Sequence, residues 1–271
     1  MQLELSPSET AALARCVEAI GTSDFPREIS LFCASLCQSD NVYLTALFDD
    51  QAPIALYGNH RKPHQTELLG LYLEAAYLLD PFYLQFRKKL GDQVLTLDEV
   101  APDNFKQSDY YARFFGGMGL TDECAILLEF DAAALFFSMG TERAGQAADA
   151  RRARLASSIV AALSRRHWTT LTPENTDGSG RLGAHLQAAF AAFGTSVLSP
   201  RESEITRMIL QGHSSKAIAL AFDNSPETIK VHRKRIYAKL SVASQGELLS
   251  VFLNALTKMP PSSDGDPLRF L

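Results

Sequence analysis

The chain has 271 residues, 46% of them hydrophobic and 21% charged, with a formal net charge of −5. That composition builds folded domains and, at this length, about two of them; it excludes a disordered chain and, with only four cysteines, a disulfide-framed mini-protein. No run reaches the roughly eighteen apolar residues of a spanning helix, and the opening MQLELSPSET is too polar for a secretory signal, so no membrane partner and a cytoplasmic location are expected.

Ser6-Pro7-Ser8-Glu9 is a capping box with proline at the first helical position. It starts a helix to about residue 20, with Leu13, Val17 and Ile20 on one side. A second helix is predicted over 26–37, with Ile29, Phe32, Cys33 and Leu36 inward. Cys33 and Cys37 lie one turn apart; buried small hydrophobes account for them, with a redox pair or soft-metal site as the alternative. Residues 41–48, NVYLTALF, read as a strand; Asp49-Asp50 makes a turn and 53–57 pairs back as a hairpin. Residues 65–79 read as one long helix ended by Asp80-Pro81, and 82–90 continue helical. Residues 94–97 are a short strand, and 105–115 an aromatic-rich helix broken by Gly116-Gly117. Asp122-Glu123 reads as a solvated turn ahead of two strands, 124–130 and 134–139. Residues 146–167 form a helix with Leu155, Ile159, Val160 and Leu163 apolar. A Gly-, Asn- and Asp-bearing linker follows at 172–183, and helix resumes over 184–193.

The last third is denser in signals. Ser199-Pro200-Arg201-Glu202 is a second capping box; its helix carries Ile205, Met208 and Ile209 and stops at Gly212. Ser214 or Ser215 caps a short helix with Ile218, Ala219 and Phe222 inward. Ser225-Pro226 opens a third helix, and Ser244-x-x-Glu247 a fourth. Two short helices joined by a tight turn, the second basic, spell a helix-turn-helix. On that second helix Ile229, His232, Ile236 and Leu240 form the inward stripe, while Glu227, Lys230, Val231, Lys234, Arg235 and Lys239 lie outward. An outward valine suits a thymine methyl in the major groove, and Lys230 and Lys234, one turn apart, suit base edges or phosphates. Residues 196–258 hold nine Lys/Arg against five Asp/Glu, so the remainder carries −9. A basic module on an acidic body is the footprint of a DNA-binding domain.

These residues resemble the LuxR-type (GerE-like) DNA-binding domain of bacterial transcription regulators. The resemblance rests on Leu198-Ser-Pro-Arg-Glu202, Gly212, Lys216-Ala-Ile-Ala219, Ser225, Thr228-Ile-Lys-Val-His232, Ile236-Tyr237, Lys239-Leu240 and Glu247-Leu248. It implies that Lys230, Val231 and Lys234 face the major groove, with Thr228 and the basic residues Arg235, Lys239 and Lys216 toward the backbone. Ala217, Ser241 and Gln245 depart from the family's usual glutamate, glycine and arginine.

The expected fold class is α+β. An amino-terminal α/β/α sensory domain is built around an antiparallel sheet, and an all-α four-helix helix-turn-helix domain follows. The boundaries read as 1–171 for the sensory domain, 172–195 for the linker, 196–258 for the DNA-binding domain and 259–271 for a disordered tail. The amino-terminal order resembles PAS/GAF-type domains and the acyl-homoserine-lactone-binding domain. Asp80-Pro81 behind Tyr72 and Tyr77 looks like the lactone receptors' ligand stretch, where the aspartate accepts a hydrogen bond from the ligand amide; the tryptophan expected some fourteen residues on is replaced by Asp92-Gln93-Val94-Leu95. Tyr43, Tyr57, Tyr72, Tyr77 and Asp80 are the candidate ligand residues, with DPFY at 80–83 and SDYY at 108–111 as further candidates for a pocket wall.

No GxxxxGK, HExxH or GxSxG is present, so no enzyme, metal or cofactor is expected. The reading is a sequence-specific DNA-binding regulator sensing an unidentified small molecule. The alternatives are a regulator whose amino-terminal domain only binds protein or dimerises, and an acyl-homoserine-lactone quorum-sensing receptor. The expected partners are double-stranded DNA, a second copy of the chain, a small-molecule effector and RNA polymerase. The homodimer follows from two apolar sides on the fourth helix, Leu248, Val251, Phe252 and Ala255 against Leu249, Leu253 and Leu256, of which a sixty-residue module buries one, and from a free apolar stripe on the helix over 146–167.

Overall fold

Strands β1 (Asn41–Phe48), β2 (Ile54–Gly58), β3 (Gln93–Thr96), β4 (Asp122–Phe130) and β5 (Ala133–Thr141) form one antiparallel sheet in the order β2-β1-β5-β4-β3. The computed structural model describes residues 3–59, 62–172, 183–260 and 263–271; most of the expected linker, residues 173–182, lies outside the described residues. Among the described residues, six α-helices belong to the amino-terminal part: α1 (Pro7–Ala19), α2 (Phe25–Cys37), α3 (Pro63–Glu74), α4 (Pro81–Phe86), α5 (Leu97–Val100) and α6 (Ala150–His167).

Strand alternation assigns the layers. Val42, Leu44, Ala46, Cys124, Ile126, Leu135 and Phe137 point to one face and pack with α1, α2 and α6. Leu47, Ala125, Leu127, Ala134 and Phe136 point to the other, beneath α4 and an aromatic segment, residues 105–116. With both faces covered, β1 and β5 are buried along their whole length. All four cysteines are buried free thiols, and among the described residues no group of side chains is arranged to hold a metal ion.

Three stretches depart from their sequence reading. The long helix over 65–79 breaks at Ala75 (φ −157°), and Ala76–Leu79 winds as a tighter 3₁₀ turn. Pro81 holds Asp80 extended (ψ 122°), so the chain has to leave the α conformation before it. The helix over 105–115 is instead a 3₁₀ turn, Phe105–Gln107, and a π-helical turn, Tyr111–Gly116. Ser108 divides them: its backbone is extended and its hydroxyl accepts the Tyr111 amide. Glu123 does not sit in a solvated turn; it lies in β4 and is 4% exposed.

The carboxy-terminal helices are α7 (Gly183–Ala192), α8 (Pro200–Leu210), α9 (Ser215–Ala221), α10 (Pro226–Leu240) and α11 (Gln245–Lys258). Ser199, Ser214, Ser225 and Ser244 cap the last four, each accepting a backbone N–H from the residue three on. Both apolar sides of α11 are buried: Leu248, Phe252 and Ala255 on one, Leu249, Leu253 and Leu256 on the other. Phe190 and Phe193 pack edge-on against Phe252, so α7 and the segment after it supply cover that the four-helix module lacks. Neither apolar side of α11 is therefore left free for a second copy, contrary to the expectation from sequence.

The tail is corrected too. Its residues 263–271 are ordered, with a 3₁₀ turn at Pro267–Phe270 against α11 and α7. Asp266, 1% exposed, accepts the amides of Gly194, Ser196 and Leu268 and the Ser196 hydroxyl. A buried carboxylate with four donors is satisfied, which pins the tail to the base of the domain.

Candidate effector cavity and nucleic-acid interface

Alternation in β1, β4 and β5 sends Tyr43, Thr45, Glu123, Phe136 and Ser138 to one patch of the sheet. Leu68, Leu69 and Tyr72 of α3 and Tyr110, Phe114 and Phe115 of the aromatic segment close over them, with Asp80 at one end. The cavity measures about 70 Å³, room for roughly five waters. Asp80 serves two purposes. Its Oδ1 accepts the Phe82 amide at 2.8 Å, capping α4, and its Oδ2 accepts the Tyr72 hydroxyl at 2.8 Å at the cavity wall. Glu123 Oε1 accepts the Ser138 hydroxyl at 2.5 Å.

Among the described residues the lining holds no Lys, Arg or His to meet the two carboxyls. Burial raises both above the usual carboxyl range; the Tyr72 and Phe82 hydrogen bonds oppose the shift at Asp80, and Asp80 itself adds to it at Glu123. Burial and the nearby acids also push the Tyr72 and Tyr110 phenols up.

Of the candidate ligand residues, the fold brings Tyr43, Tyr72 and Asp80 together and leaves two out. Tyr57 lies on β2, away from the cavity, and Tyr77 is buried on the 3₁₀ turn, edge-on to Tyr83. The break at Ala75 is the reason for Tyr77: it rotates the ring off the face that Tyr72 occupies. Tyr110 of the SDYY stretch does line the cavity, whereas Tyr83 of DPFY turns to α7 and accepts a hydrogen bond from Gln187. Glu123, Phe114, Phe115, Phe136 and Ser138 were not anticipated. A carboxylate among the apolar residues of DECAILLEF was the available signal.

On α10 the apolar anchors are Ile229 and Ile236, both fully buried. Val231 is 49% exposed between exposed Lys230 and Lys234, and Arg235 is exposed on the same helix. Lys230 has only a loose contact with Glu227, 3.7 Å. Thr228 is tied to the cap, its hydroxyl 2.9 Å from that of Ser225. Lys239 differs: its ammonium lies 2.6 Å from buried Glu202 of α8, and that bond with the Ser199 amide holds Glu202 down to about 2. Lys216 is exposed at the start of α9, beside a groove shared with Pro102 and Asp103.

The family described as bacterial regulatory proteins, luxR family, matches residues 196–252, the span that folds into α8–α10 and the first half of α11. Residues 196–252 are a LuxR-family DNA-binding domain. The chain is 29% identical over 194 residues to an HTH-type transcriptional regulator encoded in the exeN 3′ region of Aeromonas salmonicida, covering 67% of this chain and 96% of that one. The transcriptional regulatory protein FixJ of Bradyrhizobium diazoefficiens is 38% identical over 58 residues, 21% of this chain and 28% of that protein. Among solved structures, the VqsR LBD domain from Pseudomonas aeruginosa superposes with a TM-score of 0.53 at 23% identity, covering 62% of this chain and 100% of that one. The chain's amino-terminal part therefore has the fold of that domain. No helix among its described residues is long and apolar enough to cross a membrane.

Proposed function

We propose that the regulator reads a specific operator through Lys230, Val231 and Lys234, and that a small molecule in the Tyr43–Tyr72–Asp80 cavity controls that reading. Residues 1–171 are the sensor and 196–258 the reader. Thr228, Lys216 and Arg235 meet the DNA backbone, while Lys239 is held by Glu202 and serves the fold. Two copies bind an inverted repeat, as the helix-turn-helix geometry favours, and the bound pair works on RNA polymerase. No catalysis enters the reading.

One observation carries it: the segment 103–116 touches both sites. Tyr110, Phe114 and Phe115 line the cavity. On the same segment Phe105 packs against Gly212, where an added Cβ would meet the Phe105 Cα at 3.1 Å, and Asp109 abuts Gly246. Gly212 has φ +90° and ends α8, so this contact falls where only glycine is unstrained. A ligand that shifts the aromatic wall necessarily loads the reader's packing.

The test is operator binding and reporter output with Asp80→Asn. Asparagine caps as well as aspartate, so the melting temperature should hold within about 2 °C while the effector response is lost. An unchanged response removes Asp80 from the site.

A further inference from the structure

The cavity's chemistry names a class of ligand. Its walls carry two buried acids, Asp80 at 6% exposure and Glu123 at 4%, with no basic side chain among the described residues of the lining. Asp80 spends one hydrogen bond on each oxygen, and Glu123 spends one, on Oε1. Its Oε2 has no hydrogen-bond partner among the described residues. Tyr110 is an independent indication: it is 2% exposed, it lines the cavity, it lies close enough to both acids to feel them, and its hydroxyl makes no hydrogen bond among the described residues. Buried polar groups in folded proteins are almost always paired. Here an acid oxygen and a phenol, both facing the same space, are not.

The surroundings sharpen the class. Tyr72, Tyr110, Phe114, Phe115 and Phe136 present rings to the cavity. Ring faces and carboxylates together are the lining that recognises ammonium groups, since the ring quadrupole and the acid both attract positive charge. A neutral amide or lactone answers one acid but leaves the second uncompensated, at the cost of a buried charge or a retained proton. A volume near 70 Å³ favours a compact body over a long acyl chain.

We propose that the cavity binds a small organic cation, a protonated amine on a short aromatic or aliphatic body, with its nitrogen between Asp80 and Glu123 and its body against the rings. This rests on the reading of the cavity as the effector site. The acid that pairs with the nitrogen gives up its proton to solvent on binding, the other acid accepts a hydrogen bond from the same ammonium, and Tyr110 closes the shell.

The test is calorimetry on the full chain with hexylamine, 2-phenylethylamine and tyramine. Their neutral counterparts are hexanol, 2-phenylethanol and octanoyl-homoserine lactone. An amine should bind at least about tenfold tighter than its matched alcohol. Its binding should release protons, read as a heat that changes with the ionisation enthalpy of the buffer. Glu123→Gln keeps an acceptor for Ser138 and should weaken the amine about tenfold while leaving the alcohol unchanged. Equal affinity for amine and alcohol, or amine binding untouched by Glu123→Gln, overturns the proposal. If the lactone or the alcohols bind and no amine does, the cation falls and the effector cavity stands. If neither set binds up to millimolar concentration, both fall.

Discussion

Asp103 caps a helix it does not belong to. Its carboxylate accepts the Ser214 amide at 3.0 Å and the Ser214 hydroxyl at 2.5 Å, and Ser214 is the N-cap of α9, the first helix of the helix-turn-helix. Burial works against the charge, but the two Ser214 bonds outweigh it and hold the carboxyl below its usual range. An anion at that end of α9 also suits the helix dipole. The departure at Ala217 fits this contact, because a glutamate there would bring a second carboxylate to the groove that Asp103 lines. Asp103→Ala should therefore cost about 1 kcal/mol of global stability. Hydrogen exchange should quicken at the amides of residues 214–217 and stay unchanged in β1 and β5. No change at α9 would mean that the two domains do not hold this contact in solution.

The acids of the cavity set a pH dependence of unusual sign. Burial, and secondarily Asp80, raises Glu123 above its ordinary value of 4.5. As pH climbs past about 4.5 the unfolded chain gives up this proton while the folded one keeps it, so the unliganded protein loses stability with rising pH. The loss continues until Glu123 itself ionises. Glu123→Gln removes the titration. Its melting temperature should match wild type near pH 4 and exceed it near pH 8, by roughly 2–4 °C for each kcal/mol recovered in a chain of this size. Parallel melting curves across that range would contradict the assignment.

Lysines on one helix should separate by function. Lys230→Ala and Lys234→Ala should each weaken operator binding by about 1–3 kcal/mol if a base contact is lost. If a phosphate contact is lost, the salt dependence flattens by about one counterion. Val231→Ser should cost specificity more than affinity. Lys239→Ala should instead lower stability, by about 1 kcal/mol once solvent screening of a half-exposed ammonium is allowed for, and leave the salt slope alone. Glu202 has a depressed carboxyl, so this contribution is present above about pH 4.5 and disappears as pH falls toward 2. Binding titrations at several salt concentrations, paired with acid melts, check both halves.

Ser241 ends α10 at φ +55°, in the left-handed region where the family's usual glycine carries no penalty. Ser241→Gly should stabilise the domain by about 0.5–1 kcal/mol, the relief of strain exceeding the added freedom of the unfolded chain. Urea unfolding measures it, and a loss of stability would show that Ser241 makes a compensating contact. Gln245, the third departure, has a role of its own: its amide donates to the Ile209 carbonyl at 3.0 Å, tying α11 to α8.

Local signals located most of the reader. The serine caps, Pro200, Pro226 and Gly212 act within three or four residues, so they mark α8 to α11 in the sequence itself. The outward position of Val231 follows from helical period alone. The hairpin 41–58 and the pair 122–141 were equally legible, because alternation and turn residues are short-range.

The cavity was half legible. Asp80 announces itself through the following proline, and Tyr72 sits at a helical distance from it. Glu123 was read as a turn residue, because a carboxylate is costly to bury and a sequence does not show the Ser138 hydroxyl fifteen residues away that makes burial tolerable. An unbroken helix would place Tyr77 near Tyr72, but the helix stops at Ala75.

The sequence by itself determined the helix-turn-helix, its exposed basic face and the antiparallel sensor sheet, since each depends on period, caps and turns that neighbouring residues encode. Only the tertiary structure decided that Glu202 claims Lys239, that α7 and the tail bury the second side of α11, and that Asp80 and Glu123 share one aromatic cavity. Those relationships join residues 37, 62 and 43 positions apart or more, and their energies come from desolvation and pairing, which exist only once the chain has brought the partners together.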